Sequence, residues 1–553
     1  MIRKIIIAAI IVLVSIPNLT LYAQNKNKKD LPKLVVGIVV DQMRYDFLYR
    51  YYSKYSEGGF KRLMKEGYNC ENTYINYVPT YTAPGHSSVY TGSTPALNGI
   101  AGNNWFDRTT GKVVYCTDDS TVIGVPTGGS KSKGQMSPAK MMTSTITDEL
   151  KLASNYRSKV ISVALKDRAS ILPGGHLADA AYWYDGKLES FITSTYYSEK
   201  LPEWLVKFNS RKLPDSLTAL TWNTLLPIAN YTESSPDNVN WEEGFKGKAD
   251  PTFPYNLAEL RKTNIDILTK TPYGNTITRL LAEATIKNEN LGKGSLTDFL
   301  AVSFSSTDIL GHSFGPNSIE VEDMYLRLDL ELAEFLKYLD KTVGKGKYTL
   351  FLTADHGVAN NPAYMTRDNR KNVPAGHQSE KKMEDVLKTF FATNYPDQTF
   401  FLSYINSQIY LDRNVLNNKK IDLNLLCSQL SNYLIKDSFF LSAINMHIEN
   451  SNSVLPQINQ IIAGTHPTRS GDIYLAFQPA WLEYGAKGST HGMSYGYDSH
   501  IPLLFFGTNI PTFTDYNVVN ITDIAPTLAN LLHIQQPNGC IGKPIINLLQ
   551  PND

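Results

Sequence analysis

The chain has 553 residues, 42% of them hydrophobic and 19% charged, with a formal net charge of +1. That is the composition of an ordinary soluble globular protein, longer than one minimal domain needs, and the near-neutral charge argues against a surface for nucleic acid or anionic membrane. The 33 tyrosines read as a sign of a large, polar-rimmed fold and not as a ligand code.

Arg3 and Lys4 precede an apolar run from Ile5 to Val14, and small or neutral residues continue to Ala23. This pattern predicts a signal peptide over 1–23 and a polar, Lys/Asn-rich leader over 24–32. The apolar run is short for a membrane span, and no cysteine follows it to take a lipid. The protein is therefore expected to be periplasmic or secreted, without stable membrane insertion after cleavage; a retained N-terminal anchor is the alternative. Cys70, Cys116, Cys427 and Cys540 form no CxxC pair, so a thiolate zinc site is not expected. Disulfides and free buried thiols both stay open.

Residues 34–40 (LVVGIVV) form an apolar, β-branched run that predicts a strand buried on both faces, as in a parallel sheet. Residues 159–165 (KVISVAL), 299–304 (FLAVSF), 348–352 (YTLFL) and 502–506 (PLLFF) read in the same way. Between the third and fourth of these, Val321, Met324, Tyr325, Leu328, Leu332, Phe335, Leu336 and Leu339 recur at helical spacing. Strand, helix, strand over that span predicts a βαβ crossover. Two stretches, near 170–285 and 365–470, are weakly periodic and read as insertions that wall a site. The prediction is an α/β domain over 33–550, with a mostly parallel central sheet and helices on both faces.

The chemistry sits where such a sheet would expose it. Asp41, Lys166, Asp308 and Asp355 each follow a predicted strand within a few residues, and open α/β sheets bind ligands at the carboxyl ends of their strands. Asp308 and His312 are four apart, Asp355 and His356 are adjacent, and His491 lies in a loop (STHG). Each motif alone is weak. Together, three carboxylates and three imidazoles suffice for two zinc ions with open positions left over. Thr82, in PTYTAPGH, supplies an activatable hydroxyl.

These residues resemble the alkaline phosphatase superfamily, and within it the exported PafA-type alkaline phosphatases. The resemblance runs from about Lys33 to the C-terminus and includes RSGD at 469–472, SHIP at 499–502 and TDIAPT at 522–527. It implies two Zn²⁺ per chain, the first held by Asp308, His312 and His491 and the second by Asp41, Asp355 and His356. It implies Thr82, rather than nearby Thr80, as the nucleophile that becomes a phosphothreonine. It also implies Lys166 and Arg168 of KDR as phosphate-binding cations and Asn103 of GNNW as an amide donor. His86 matches no ligand position and His500 begins a strand, and both read as structural.

Such donors face phosphoryl oxygens that a monoester leaves free and a diester partly blocks. The expected activity is hydrolysis of small-molecule phosphate monoesters, with broad specificity, by a monomer that recognises no nucleic acid. The alternative is a phosphodiesterase or nucleotide pyrophosphatase on the same fold. A sulfatase would need Cys or Ser followed by x-Pro-x-Arg. A phosphoglycerate-mutase-like isomerase would use serine in the cytoplasm. A metal carrier without catalysis would not need the nucleophile.

Overall fold

The computed structural model describes residues 30–248, 250–367, 374–396, 400–447 and 457–550. The predicted signal peptide and all but the end of the leader lie outside them. The elements that position the site are strands β1 (Leu34–Val40), β2 (Tyr68–Tyr74), β3 (Val160–Ala164), β4 (Ala180–Asp185), β5 (Asp298–Phe304), β6 (Tyr348–Thr353) and β7 (Leu503–Gly507). They run in the order β2-β7-β6-β1-β5-β3-β4 within an 11-stranded sheet among the described residues.

Strands β6, β1, β5, β3 and β4 are all parallel. Every residue of β1, β3, β5 and β6 is buried, which is why these strands read as unbroken apolar runs. Strand β7 departs from expectation. It is apolar and buried up to its last residue, yet pairs antiparallel with β6 and with β2. Burial on both faces removes the alternation that would have betrayed its direction.

The helices that matter are α1 (Thr82–Thr91), α2 (Asp167–Gly174), α3 (Ser306–Phe314) and α4 (Ile319–Leu339). Helix α4 is the predicted crossover from β5 to β6. Ser318 caps it by accepting from Val321 N–H, Glu320 and Glu322 complement its first turn, and all eight predicted apolar positions are buried. Helix α1 packs directly on the sheet. A Cβ on Gly37 of β1 would lie 2.5 Å from Tyr90 Oη and 2.7 Å from the Phe351 ring. Glycine is thus required there for close approach rather than for its backbone freedom.

The 170–285 stretch is only in part an insertion. Its strands Ala180–Asp185 and Ser190–Ser194 belong to the central sheet, and helix Pro272–Asn288 packs into the main core. The 365–470 stretch supplies most of a separate four-stranded sheet, completed by Ile473–Phe477. That sheet has its own core of Met383, Leu387, Leu426, Leu430 and Phe477. The four cysteines form no disulfide, and no described helix is long and apolar enough to cross a membrane.

Candidate active site

Because β1, β3, β5 and β6 are parallel, their C-terminal ends share one edge, and the residues that follow them converge there. Asp41 follows β1 directly, Lys166 follows β3, Asp308 lies in the first turn of α3 after β5, and Asp355 and His356 follow β6. Asp308 and His312 share one face of α3, with His312 Nε2 3.2 Å from Asp308 Oδ1. His491 arrives from a loop and lies with Nε2 3.5 Å from the same oxygen. That loop is held by buried Asp498, which accepts from the N–H groups of Gly492 at 3.0 Å and Met493 at 2.8 Å.

The three imidazoles are oriented alike. Each has its Nδ1 on a backbone carbonyl: His312 on Ser489 O at 2.9 Å, His356 on Gly357 O at 2.9 Å and His491 on Thr80 O at 2.7 Å. Each Nε2 is left facing the carboxylates, the arrangement of metal-ligating histidines. The ligand atoms of Asp308, His312 and His491 lie within 4.8 Å of one another, and so do those of Asp41, Asp308 and His356. Asp308 therefore belongs to both groups. Asp355, expected in the second, stands beside it with Oδ2 3.6 Å from His356 Nε2, its Oδ1 accepting from the N–H groups of Gln42 and His356.

The donor set fits a cation on two further grounds. Asp41 Oδ1 and Asp355 Oδ2 are buried and accept no hydrogen bond, although buried carboxylate oxygens are ordinarily satisfied; the second has His86 Nδ1 at 3.2 Å, a nitrogen already turned to Thr82 O. Burial and the neighbouring carboxylates also hold both acids above the usual range, Asp355 up to about 7. Asp308 stays well below that range despite its burial, because His312 and Lys166 lie against it. Three buried carboxylates at one point need positive charge beyond the single ammonium of Lys166.

Thr82 opens α1, 1% exposed, with Oγ1 3.4 Å from His356 Nε2 and 3.5 Å from Lys166 Nζ. Thr80 is distinguished from it: its hydroxyl donates to Met493 O at 3.0 Å. Lys166 also reaches Asp41 Oδ2 at 2.6 Å and Asp308 Oδ2 at 2.5 Å. Asn103 Oδ1 accepts from Ala83 N–H at 2.9 Å, which leaves its Nδ2 as donor. Arg168 opens the same α2 turn as Asp167 and keeps a buried Nε without a partner. His86 is fully engaged, with Thr82 O and Ser303 Oγ each at 2.9 Å, and burial holds its pKa down to about 4. His500 likewise bonds Glu71 O. The sequence reading missed Gln42, whose amide donates to Asp308 Oδ1 at 2.7 Å. Its position directly after Asp41 was the one available signal.

A parallel sheet whose strand ends gather two carboxylate–histidine groups around a helix-opening threonine is the architecture of the alkaline phosphatase superfamily. The profile of the type I phosphodiesterase / nucleotide pyrophosphatase family matches residues 35–498, and the chain belongs to that family. It is 47% identical over 533 residues to alkaline phosphatase PafA of Elizabethkingia meningoseptica, covering 95% of this chain and 96% of the relative. It is also 47% identical over 522 residues to alkaline phosphatase PhoV of Synechococcus elongatus, covering 94% and 93%. The crystal structure of wild-type PafA superposes with a TM-score of 0.91 at 46% identity, over 95% of this chain and 100% of that one. PafA has also been solved as a variant with one threonine, one asparagine, one lysine and one arginine replaced.

Proposed function

We propose that this protein is an exported, zinc-dependent alkaline phosphatase that hydrolyses phosphate monoesters to alcohol and inorganic phosphate through a phosphothreonine at Thr82. The observation that carries this reading is the gathering of three Nε2 atoms and two carboxylate oxygens that accept no hydrogen bond, beside a buried threonine hydroxyl. The four residue types replaced in the PafA variant match Thr82, Asn103, Lys166 and Arg168 in type and in order, which supports the same assignment here.

Asp308, His312 and His491 would hold one ion, and Asp41, Asp355 and His356 the other, with Asp308 within reach of both. When bound, the ions would lower the pKa of a hydroxyl or water and stabilise the leaving oxygen. Thr82 Oγ would attack phosphorus as the bond to the leaving alcohol oxygen breaks. Water would then attack the phosphothreonine from the opposite side, releasing phosphate and restoring the hydroxyl. The N-terminus of α1 favours the negative charge gathered at Thr82. Lys166, Arg168 and Asn103 would donate to the non-bridging oxygens, where transition-state charge is spread. These donors grip the phosphoryl group and not the alcohol, which supports broad specificity.

The deciding experiment is kcat/KM for an aryl phosphate monoester and for its methyl diester on one zinc-loaded preparation. A monoester preference of several orders of magnitude is expected. A diester preference would place the enzyme with the phosphodiesterases that the family description names, and would overturn the roles given to Lys166 and Arg168.

A further inference from the structure

One hairpin touches two of the three side chains proposed to donate to phosphate, Asn103 and Arg168. Its strands are Asn104–Asp107 and Lys112–Tyr115. Asn103 immediately precedes the first strand, and its carbonyl accepts from Cys116 N–H at 3.0 Å just past the second. Tyr115, paired across the hairpin with Asn104, turns its hydroxyl toward α2. That hydroxyl accepts from Arg168 Nη1 at 2.9 Å and donates to Asp167 Oδ1 at 2.5 Å. Asp167 is buried, and its second oxygen accepts from Lys133 Nζ at 3.1 Å. A guanidinium has five N–H donors in a rigid fork. Fixing one of them sets the direction of the rest, and the partnerless Nε of Arg168 is among those left free.

The hairpin is itself braced. Asn406 Nδ2 donates to Asn104 O at 2.7 Å, and Arg108 donates to Ser470 O and to Asp472 Oδ2, each at 2.8 Å. The Arg469 guanidinium lies 4.9 Å over the Trp105 ring. The smaller sheet thus holds the hairpin that holds Asn103 and Arg168.

We propose that Tyr115 is a positioning residue for phosphate recognition: held by Asp167, its hydroxyl sets the Arg168 guanidinium for a monoester dianion and ties that setting to Asn103. This rests on the reading of Arg168 as a phosphate donor. A diester presents one fewer free oxygen, so it gains less from the setting.

The test is Tyr115→Phe, which keeps the ring and removes only the hydroxyl, made in the full-length enzyme and again on an Arg168→Ala background. kcat/KM for an aryl monoester is expected to fall about 10- to 100-fold, as for a lost hydrogen bond to a charged group, with zinc content unchanged. The methyl diester is expected to change less than about threefold, and the Arg168→Ala background to show no further loss. Asp167→Asn is expected to reproduce the selective loss. Equal losses on both esters, or losses that multiply in the double variant, would overturn the positioning role while leaving Arg168 in place. An unchanged monoester-to-diester ratio in Arg168→Ala alone would instead overturn the role of Arg168, and this inference with it.

Discussion

Gln42 holds Asp308. Its side-chain amide donates to Asp308 Oδ1 at 2.7 Å, while its backbone N–H donates to Asp355 Oδ1 at 3.2 Å. Residues following three different strands are joined through one side chain and its own peptide. Gln42 does this in a left-handed conformation, φ +65°, which a non-glycine residue adopts at some cost. Gly311 makes room for it, since a Cβ there would lie 2.0 Å from Gln42 Oε1. Gln42→Ala should therefore weaken zinc retention by about 10- to 100-fold, the usual effect of losing such a supporting contact. Competition with a chromogenic chelator reads this directly, and release identical to wild type would show that the amide does not orient Asp308.

Thr82→Ala should retain its metal and lose nearly all turnover, because the ligand set is untouched and the nucleophile is gone. Metal analysis and kcat on one sample check both halves. An unchanged kcat would remove Thr82 from the chemistry.

Lys166→Ala and Arg168→Ala should each lower monoester kcat/KM by about 10²- to 10³-fold, as for the loss of a preorganised charge donor. Diester hydrolysis should fall less. Losses of the same size on both substrates would show that these side chains do not select the dianion.

Dialysis against a chelator should abolish activity, and the loaded enzyme should contain about two zinc ions per chain. One ion at full activity would contradict the two-ion assignment. It would also leave Asp308, the residue common to both groups, with a single role.

Asp472 predicts an acid limb of stability. Against its burial, His447, Arg108 and Arg413 hold its carboxyl down to about 2, below the ordinary 3.8. A depressed carboxyl stabilises the fold above its unfolded pKa and loses that contribution as pH falls toward the folded one. The contribution is about 2 kcal/mol, lost between roughly pH 4 and pH 2. The stability gap between wild type and Asp472→Asn, from denaturant curves, should narrow by that amount over this window. A gap that does not vary with pH would show that the ion cluster does not report on folding.

Much of the site was legible because two independent patterns coincide. Apolar runs mark the strands, and ionisable residues follow each run at once, so Asp41, Lys166, Asp308 and Asp355 are placed before any contact is known. Helix α4 was legible because its 3.6-residue stripe is long and capped. Strand β7 was legible as a strand but not in direction, for burial on both faces erases the difference. Strand β4, AAYWYD, carries no β-branched residue and was lost in the 170–285 stretch. Gln42 and Tyr115 were out of reach for another reason. Their partners lie 266 and 53 residues away in sequence, and a long-range hydrogen bond leaves no periodic trace.

Gly37 gives Thr82 its altitude. Tyr90 rests in the space that a side chain at Gly37 would fill, and Thr82 stands eight residues before Tyr90 on the same helix, about 12 Å along its axis. A single methyl in the middle of the buried sheet would press on Tyr90 and on Phe351 alike, and so on both the helix that carries Thr82 and the strand that leads to Asp355. The reach of the threonine hydroxyl is in this sense a dimension of the protein's interior, kept by the absence of one carbon atom.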